Sequence, residues 1–146
     1  MSSTAPGAAP AVNPWLIAPV VALAAFMEVM DISIANVSLP HIAGDLSSSQ
    51  DESTWVLTSY VLAAAVMLPL AGWLVDRVGL RNTLLGSVVL FTIASMLCGA
   101  AQSLDQMVLF RILQGFAGAF LSPLAQTIML DSSTPAERPK MMGIYT

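Results

Sequence analysis

Glu28 and Asp31 interrupt an apolar run over residues 15–39, and Arg111 interrupts another over residues 106–130. Two acids and one base, set in stretches built mainly of apolar residues, are the side chains with chemistry to offer. A charge at the centre of a membrane helix costs roughly 2.5–3.5 kcal/mol on insertion scales. Groups kept at that cost usually face a bundle interior or a wet cleft and find a partner there. They are the natural candidates for a substrate or proton pathway. A nearby cation favours the charged form of a carboxyl, while burial and a second acid favour the neutral form. Occupancy of the cleft can tip that balance, so the pattern suits proton exchange. Two plainer readings stand beside it. The charges could only hold helices together, and Arg111 could snorkel to the nearby outer interface.

The composition dictates what positions these groups. The chain has 146 residues, 56% hydrophobic and 10% charged, with a mean hydropathy of +0.77. A soluble domain carries about 25% charged residues, so there is too little polar surface here to cover a water-soluble core. A net charge of −4 argues against a nucleic-acid partner, which needs clustered Lys and Arg. Cys98 is the lone cysteine, which excludes a disulfide framework or a metal cluster and reads as a small core residue. His41 follows Pro40 with no second ligand beside it and reads as a surface-loop residue. No nucleophile–base set, metal site or phosphate-cradling loop is visible. The chain is therefore expected not to be an enzyme and to need no cofactor, only a proton gradient.

Four runs are long enough to cross a bilayer, which takes about 20 residues: 15–39, 54–75, 83–101 and 106–130. The expected fold is an all-α, polytopic transmembrane bundle whose partner is the lipid bilayer. Trp55 and Trp73 lie ~27 Å apart along a helix at ~1.5 Å per residue, so both rings can sit at the interfaces of a ~30 Å slab. Residues 1–13 are small, Pro-rich and uncharged, and read as a disordered tail. They lack the basic start of a cleaved signal peptide, so the first run is read as an uncleaved helix. Residues 132–146 read as a cytoplasmic connection and the start of a truncated fifth helix.

Arg77 and Arg81 fall between the second and third runs, and Arg138 and Lys140 follow the fourth. The intervening loops carry no base. The positive-inside rule puts these four on the cytoplasmic side and the N-terminus with them. The first helix then runs outward and the fourth inward. Asp31 lies ~12 Å below the outer end of its run, and Arg111 ~8 Å below its own. The two share roughly one level, within reach of an arginine side chain. Glu28 sits one turn deeper on the same face.

Three local patterns now become specific. The turn Gly72-Trp-Leu-Val-Asp76-Arg77-Val-Gly79-Leu-Arg81 resembles the GxLaDrxGrk loop of the major facilitator superfamily. Arg111-Ile-Leu-Gln114-Gly115-Phe-Ala-Gly118-Ala119 resembles that superfamily's RxxQGxgaa motif. Met30-Asp31-Ile-Ser-Ile34-Ala-Asn36-Val37-Ser-Leu39-Pro40 is similar to the LDxTIxNVALP signature of its fourteen-helix drug:proton antiporter branch, the EmrB/QacA type.

The resemblance implies the first four helices of a major facilitator fold. It implies the N-terminal part of a proton-coupled efflux antiporter for amphipathic or cationic drugs, in a bacterial inner membrane. Asp31 and Glu28 would be the proton or cation carboxylates, and Arg111 would tune them. Asn36, Gln114 and Gly115 would line the cavity. Gly72, Asp76, Arg77, Gly79 and Arg81 would form a conformational latch, with Asp131 a local partner for Arg77 or Arg81 and Asp76 placed to cap a helix. Gly79 permits a tight turn, Pro69 can kink the second helix, and Gly115, Gly118 and Ala119 let a neighbouring helix approach closely.

Expected partners are the missing C-terminal helices of the same transporter, small-molecule drugs, and, by the EmrB likeness, a membrane-fusion adaptor and an outer-membrane channel. Four helices alone cannot easily rock one half-bundle against another, so isolated 1–146 is expected not to transport. Two alternatives remain: a dimeric exporter of the four-helix small multidrug-resistance kind built around Glu28, and a non-transporting membrane fragment or assembly subunit.

Overall fold

Long apolar runs with few charges can satisfy their backbone in lipid only by closing each N–H on a carbonyl of the same segment. The computed structural model describes residues 14–45, 49–133 and 136–145, and every regular element among them is helical. They are α1 (Pro14–Asp45), the short α2 (Gln50–Ser53), α3 (Trp55–Met67), α4 (Ala71–Val78), α5 (Leu80–Gly99), α6 (Leu104–Ser132) and α7 (Arg138–Tyr145). Four stretches are long and apolar enough to cross a membrane: Pro19–Gly44, Asp51–Val78, Leu80–Gly99 and Leu104–Ser132. The fold is thus an all-α polytopic bundle. The tail expected over residues 1–13 lies outside the described residues.

The first helix does not stop at Pro40. α1 continues to Asp45, and His41 is an exposed helical residue rather than a loop residue. Proline removes one hydrogen bond and clashes locally, but its φ is helical, and membrane helices tolerate the loss. Pro19 in α1 and Pro123 in α6 are carried in the same way. Pro69 acts differently. It sits in a 3₁₀ turn, Leu68–Leu70, that divides the second span into α3 and α4.

α6 is the hub. Half of its most apolar stretch is buried, against 17% for α1, and it packs on α1, α3 and α5. One apolar cluster joins Val21 to Ala125 and Met129, and another joins Tyr60, Phe91, Ala117 and Leu121. α3 and α6 approach closely. A Cβ on Gly115 would fall 2.4 Å from the Tyr60 carbonyl oxygen and 2.9 Å from Ala63 Cβ. A Cβ on Gly118 would fall 2.3 Å from the Tyr60 hydroxyl. Small residues on α6 therefore set how near α3 can come. Large apolar side chains such as Val20, Val37, Val66 and Val89 are exposed, as lipid-facing residues are.

Between α4 and α5 the chain turns on Gly79 at φ 89° and ψ 148°. Only glycine reaches that region without a steric penalty. The start of α6 is set by Ser103, whose Oγ accepts from the Gln106 N–H at 3.3 Å.

Candidate functional site

Asp31 and Arg111 meet across the α1–α6 contact. Arg111 Nη1 donates to Asp31 Oδ2 at 2.6 Å, and their side chains are 17% and 6% exposed for the acid and the base respectively. Gln114, one turn further along α6, completes a closed triangle. Its Nε2 donates to Asp31 Oδ1 at 2.8 Å, and its Oε1 accepts from Arg111 Nη1 at 2.7 Å. Cys98 Sγ on α5 also lies against that oxygen, at 3.6 Å. Both carboxylate oxygens of Asp31 are therefore held, and the buried charge pair is both neutralised and hydrogen-bonded, as burial requires. Arg111 does not snorkel to the interface.

Glu28 is not part of this triangle. Its Oε2 accepts from Ser122 Oγ at 2.7 Å and its Oε1 from the Tyr60 hydroxyl at 3.4 Å. The expectation of one arginine facing two acids is thus corrected: Arg111 pairs with Asp31, while Glu28 is held by hydroxyls. The i, i+3 spacing does put both acids on one side of α1. The stagger of two antiparallel helices then gives them different neighbours on α6. Tyr60 lies between the two groups. Its ring centroid is 5.7 Å from Arg111 Cζ, within the range of a cation–π contact.

Asn36 is exposed on α1 and donates Nδ2 to the Ile32 carbonyl at 2.8 Å. With Tyr60, Val61, Leu57, Ile32 and Arg111 it lines a cavity of about 220 Å³. A larger cleft of about 560 Å³ opens between α1 and α5, with Asp31 on its wall among Phe26, Met27, Met30 and Phe91. The ion pair thus borders one cavity on its acidic side and another on its basic side. Gln114 is fully buried and bonds across helices. Gly115 serves the close approach of α3, because its missing side chain makes room for the Tyr60 carbonyl.

At the opposite end, Arg77 lies over the Trp73 ring at 4.9 Å, one helical turn back on α4. Asp131 and Arg81 are exposed, and the one ion pair among the described residues is Arg111–Asp31. Asp131 therefore pairs with neither Arg77 nor Arg81. Asp76 lies inside α4, and the position before α5 belongs to Gly79, with no side-chain cap. The capping role expected of Asp76 is corrected accordingly. Gly72 is exposed on the same short helix. No group of three His, Cys, Asp or Glu among the described residues could hold a metal.

The sequence profile described as Major Facilitator Superfamily matches residues 21–146. The chain belongs to that superfamily. Multidrug export protein EmrB of Escherichia coli (strain K12) is 44% identical to it over 85% of this chain and 24% of its own length. Fatty acid resistance protein FarB of Neisseria gonorrhoeae is 45% identical over 84% and 24%. Putative multidrug resistance protein MdtD of Klebsiella pneumoniae (strain 342) is 43% identical over 76% and 24%. The chain spans about a quarter of the length of these relatives. Membership sets aside the small multidrug-resistance alternative and accords with a multi-pass membrane protein whose relatives include the EmrB type.

Tyr60, Ser122 and Cys98 were not foreseen. A tyrosine in a span without Asp, Glu, Lys or Arg was the available signal, since a buried phenol hydroxyl seeks a partner. Ser122 precedes Pro123 and gave no such signal.

Proposed function

We propose that this chain is the N-terminal portion of a proton-coupled exporter of amphipathic or cationic compounds, seated in a bacterial inner membrane with its N-terminus cytoplasmic. The observation that carries the proposal is the closed Asp31–Arg111–Gln114 triangle between two helices of membrane-spanning length. Protonation of Asp31 removes the charge that Arg111 neutralises. It leaves a guanidinium without its anion in a low-dielectric site, which loosens α1 from α6. Loss of the proton restores the pair. Exchange of a proton for a cationic compound at this carboxylate gives antiport.

Glu28 is the second carboxylate of the pathway, and Asn36 lines the cavity that reaches Arg111. The turn around Gly72, Asp76, Arg77, Gly79 and Arg81 is the latch against helices beyond this segment. Those helices supply the other half of the transporter and the determinants of substrate choice. The EmrB likeness extends the proposal to a membrane-fusion adaptor and an outer-membrane channel as partners.

The test uses the transporter that contains this segment, in everted membrane vesicles. Asp31→Asn is expected to abolish pH-gradient-driven efflux of a cationic dye while the amount of protein in the membrane stays unchanged. Normal efflux in that variant removes Asp31 from the mechanism.

A further inference from the structure

Glu28 is half-buried where α1, α3 and α6 meet, and each of its oxygens has a hydroxyl of its own: Tyr60 on Oε1 and Ser122 on Oε2. No cation reaches it, since the one ion pair among the described residues is taken by Asp31. Hydroxyls differ from a guanidinium in one respect that matters here: each can donate or accept. Facing an ionised carboxylate, both hydroxyls donate. Facing a carboxylic acid, one keeps donating to the carbonyl oxygen while the other turns to accept the acid proton. Both forms of the carboxyl can therefore find a hydrogen-bond partner in these hydroxyls.

The same tyrosine touches the other carboxylate's partner. Its ring lies 5.7 Å from Arg111 Cζ. Its flanks leave no room to slide, since Gly115 and Gly118 lie directly against its carbonyl and hydroxyl. A phenol that donates to a carboxylate has a more electron-rich ring, and that ring holds a cation more strongly. When Glu28 takes up a proton the phenol stops donating to an anion, and its hold on Arg111 weakens. The charged and titratable groups around this pocket are few. Tyr60 comes from α3, Arg111 from α6 beyond Ser122, Asp31 from α1 itself, and Cys98 from α5, where it is turned to Gln114.

We propose that Glu28, Ser122 and Tyr60 form a second proton-binding site, and that Tyr60 couples its occupancy to the Asp31–Arg111 pair. The proposal rests on the exchange reading of Asp31 and assigns the other carboxylate its ligand. The proton arrives from hydronium, which leaves as water, and it ends on a Glu28 oxygen. The O–H bonds of Tyr60 and Ser122 stay intact. Tyr60 is a positioning residue that senses one site and acts on the other.

Carbon-13 NMR on the full chain in lipid nanodiscs reads this directly. The chain has two tyrosines and, besides Glu28, the glutamates Glu52 and Glu137, and Glu28→Gln assigns the signal of interest. The Glu28 carboxyl signal is expected to titrate across the pH range in which the chain stays folded, with its midpoint displaced in Ser122→Ala. Asp31→Asn is expected to move it too, and that second displacement should fall by more than half when Tyr60→Phe is added. In the unsubstituted chain the Tyr60 Cζ signal should follow the Glu28 midpoint, which needs no variant to fold.

A Glu28 signal flat across that range overturns the site. A Tyr60 signal that ignores Glu28, or an Asp31→Asn displacement unchanged in Tyr60→Phe, overturns the coupling. Normal efflux in Asp31→Asn beside a titrating Glu28 sinks the exchange reading instead, so the two failures are distinguishable.

Discussion

The hydroxyl of Tyr60 stands 2.3 Å from where a Cβ on Gly118 would lie. One residue's lack of a side chain is thus the space in which another's polar end reaches Glu28. Gly118→Ala is expected to destabilise the chain by about 1–3 kcal/mol through overpacking. Tyr60→Phe should recover part of that loss in the double variant. Gly115→Ala should cost more and recover nothing, because its obstacle is a backbone carbonyl. Denaturant unfolding in mixed micelles, followed by near-ultraviolet circular dichroism, measures all four. Equal costs with no rescue would show that the α3–α6 spacing is set elsewhere.

Arg111→Met leaves the largely enclosed Asp31 carboxyl without its cation. A loss of about 3–5 kcal/mol is expected, with most of it restored by adding Asp31→Asn, since a neutral amide removes the stranded charge. The same unfolding assay reads the cycle. Additive losses in the double variant would mean that the two side chains do not depend on each other.

Gly79 has a positive φ, 89°, and nothing within 4 Å of the place its Cβ would occupy. Its substitution is therefore a test of backbone strain alone. Gly79→Ala should cost about 1–3 kcal/mol. Gly72→Ala, equally unobstructed but helical, should be neutral or stabilising by up to about 1 kcal/mol. Matching thermal midpoints for the two variants would contradict the strained turn.

The fold class was legible because its cause is compositional. Runs such as 54–75, with no Asp, Glu, Lys or Arg, can do little else in a short chain than cross a bilayer. The level shared by Asp31 and Arg111 followed from counting residues inward from two helix ends, and the two groups do meet. The count failed for Glu28. A helical repeat says which side of α1 an acid faces, whereas the identity of its neighbour depends on the stagger and tilt of another helix. Asp131 was matched to Arg77 or Arg81 by charge and shared end alone, yet Arg77 had a ring one turn away on its own helix and Arg81 is exposed. The end of α1 was misplaced at Pro40 because proline signals a break in water more strongly than it does in a membrane helix.

Ser103 marks where α6 begins, and its Oγ satisfies an N–H that would otherwise be open. Ser103→Ala is expected to cost about 1 kcal/mol and to raise hydrogen–deuterium exchange at the amide of Gln106, with little change in the middle of α6. Uniform faster exchange along the whole helix would show that the cap governs docking rather than one end.

α4 buries none of its residues among those described, and it joins α3 through the proline-bearing turn at Leu68–Leu70. The second span is therefore two pieces with unequal obligations. Its α3 piece is packed through Tyr60 against α6, while its α4 piece buries none of its own side chains. Close packing at one end and an uncovered helix at the other coexist in a single span.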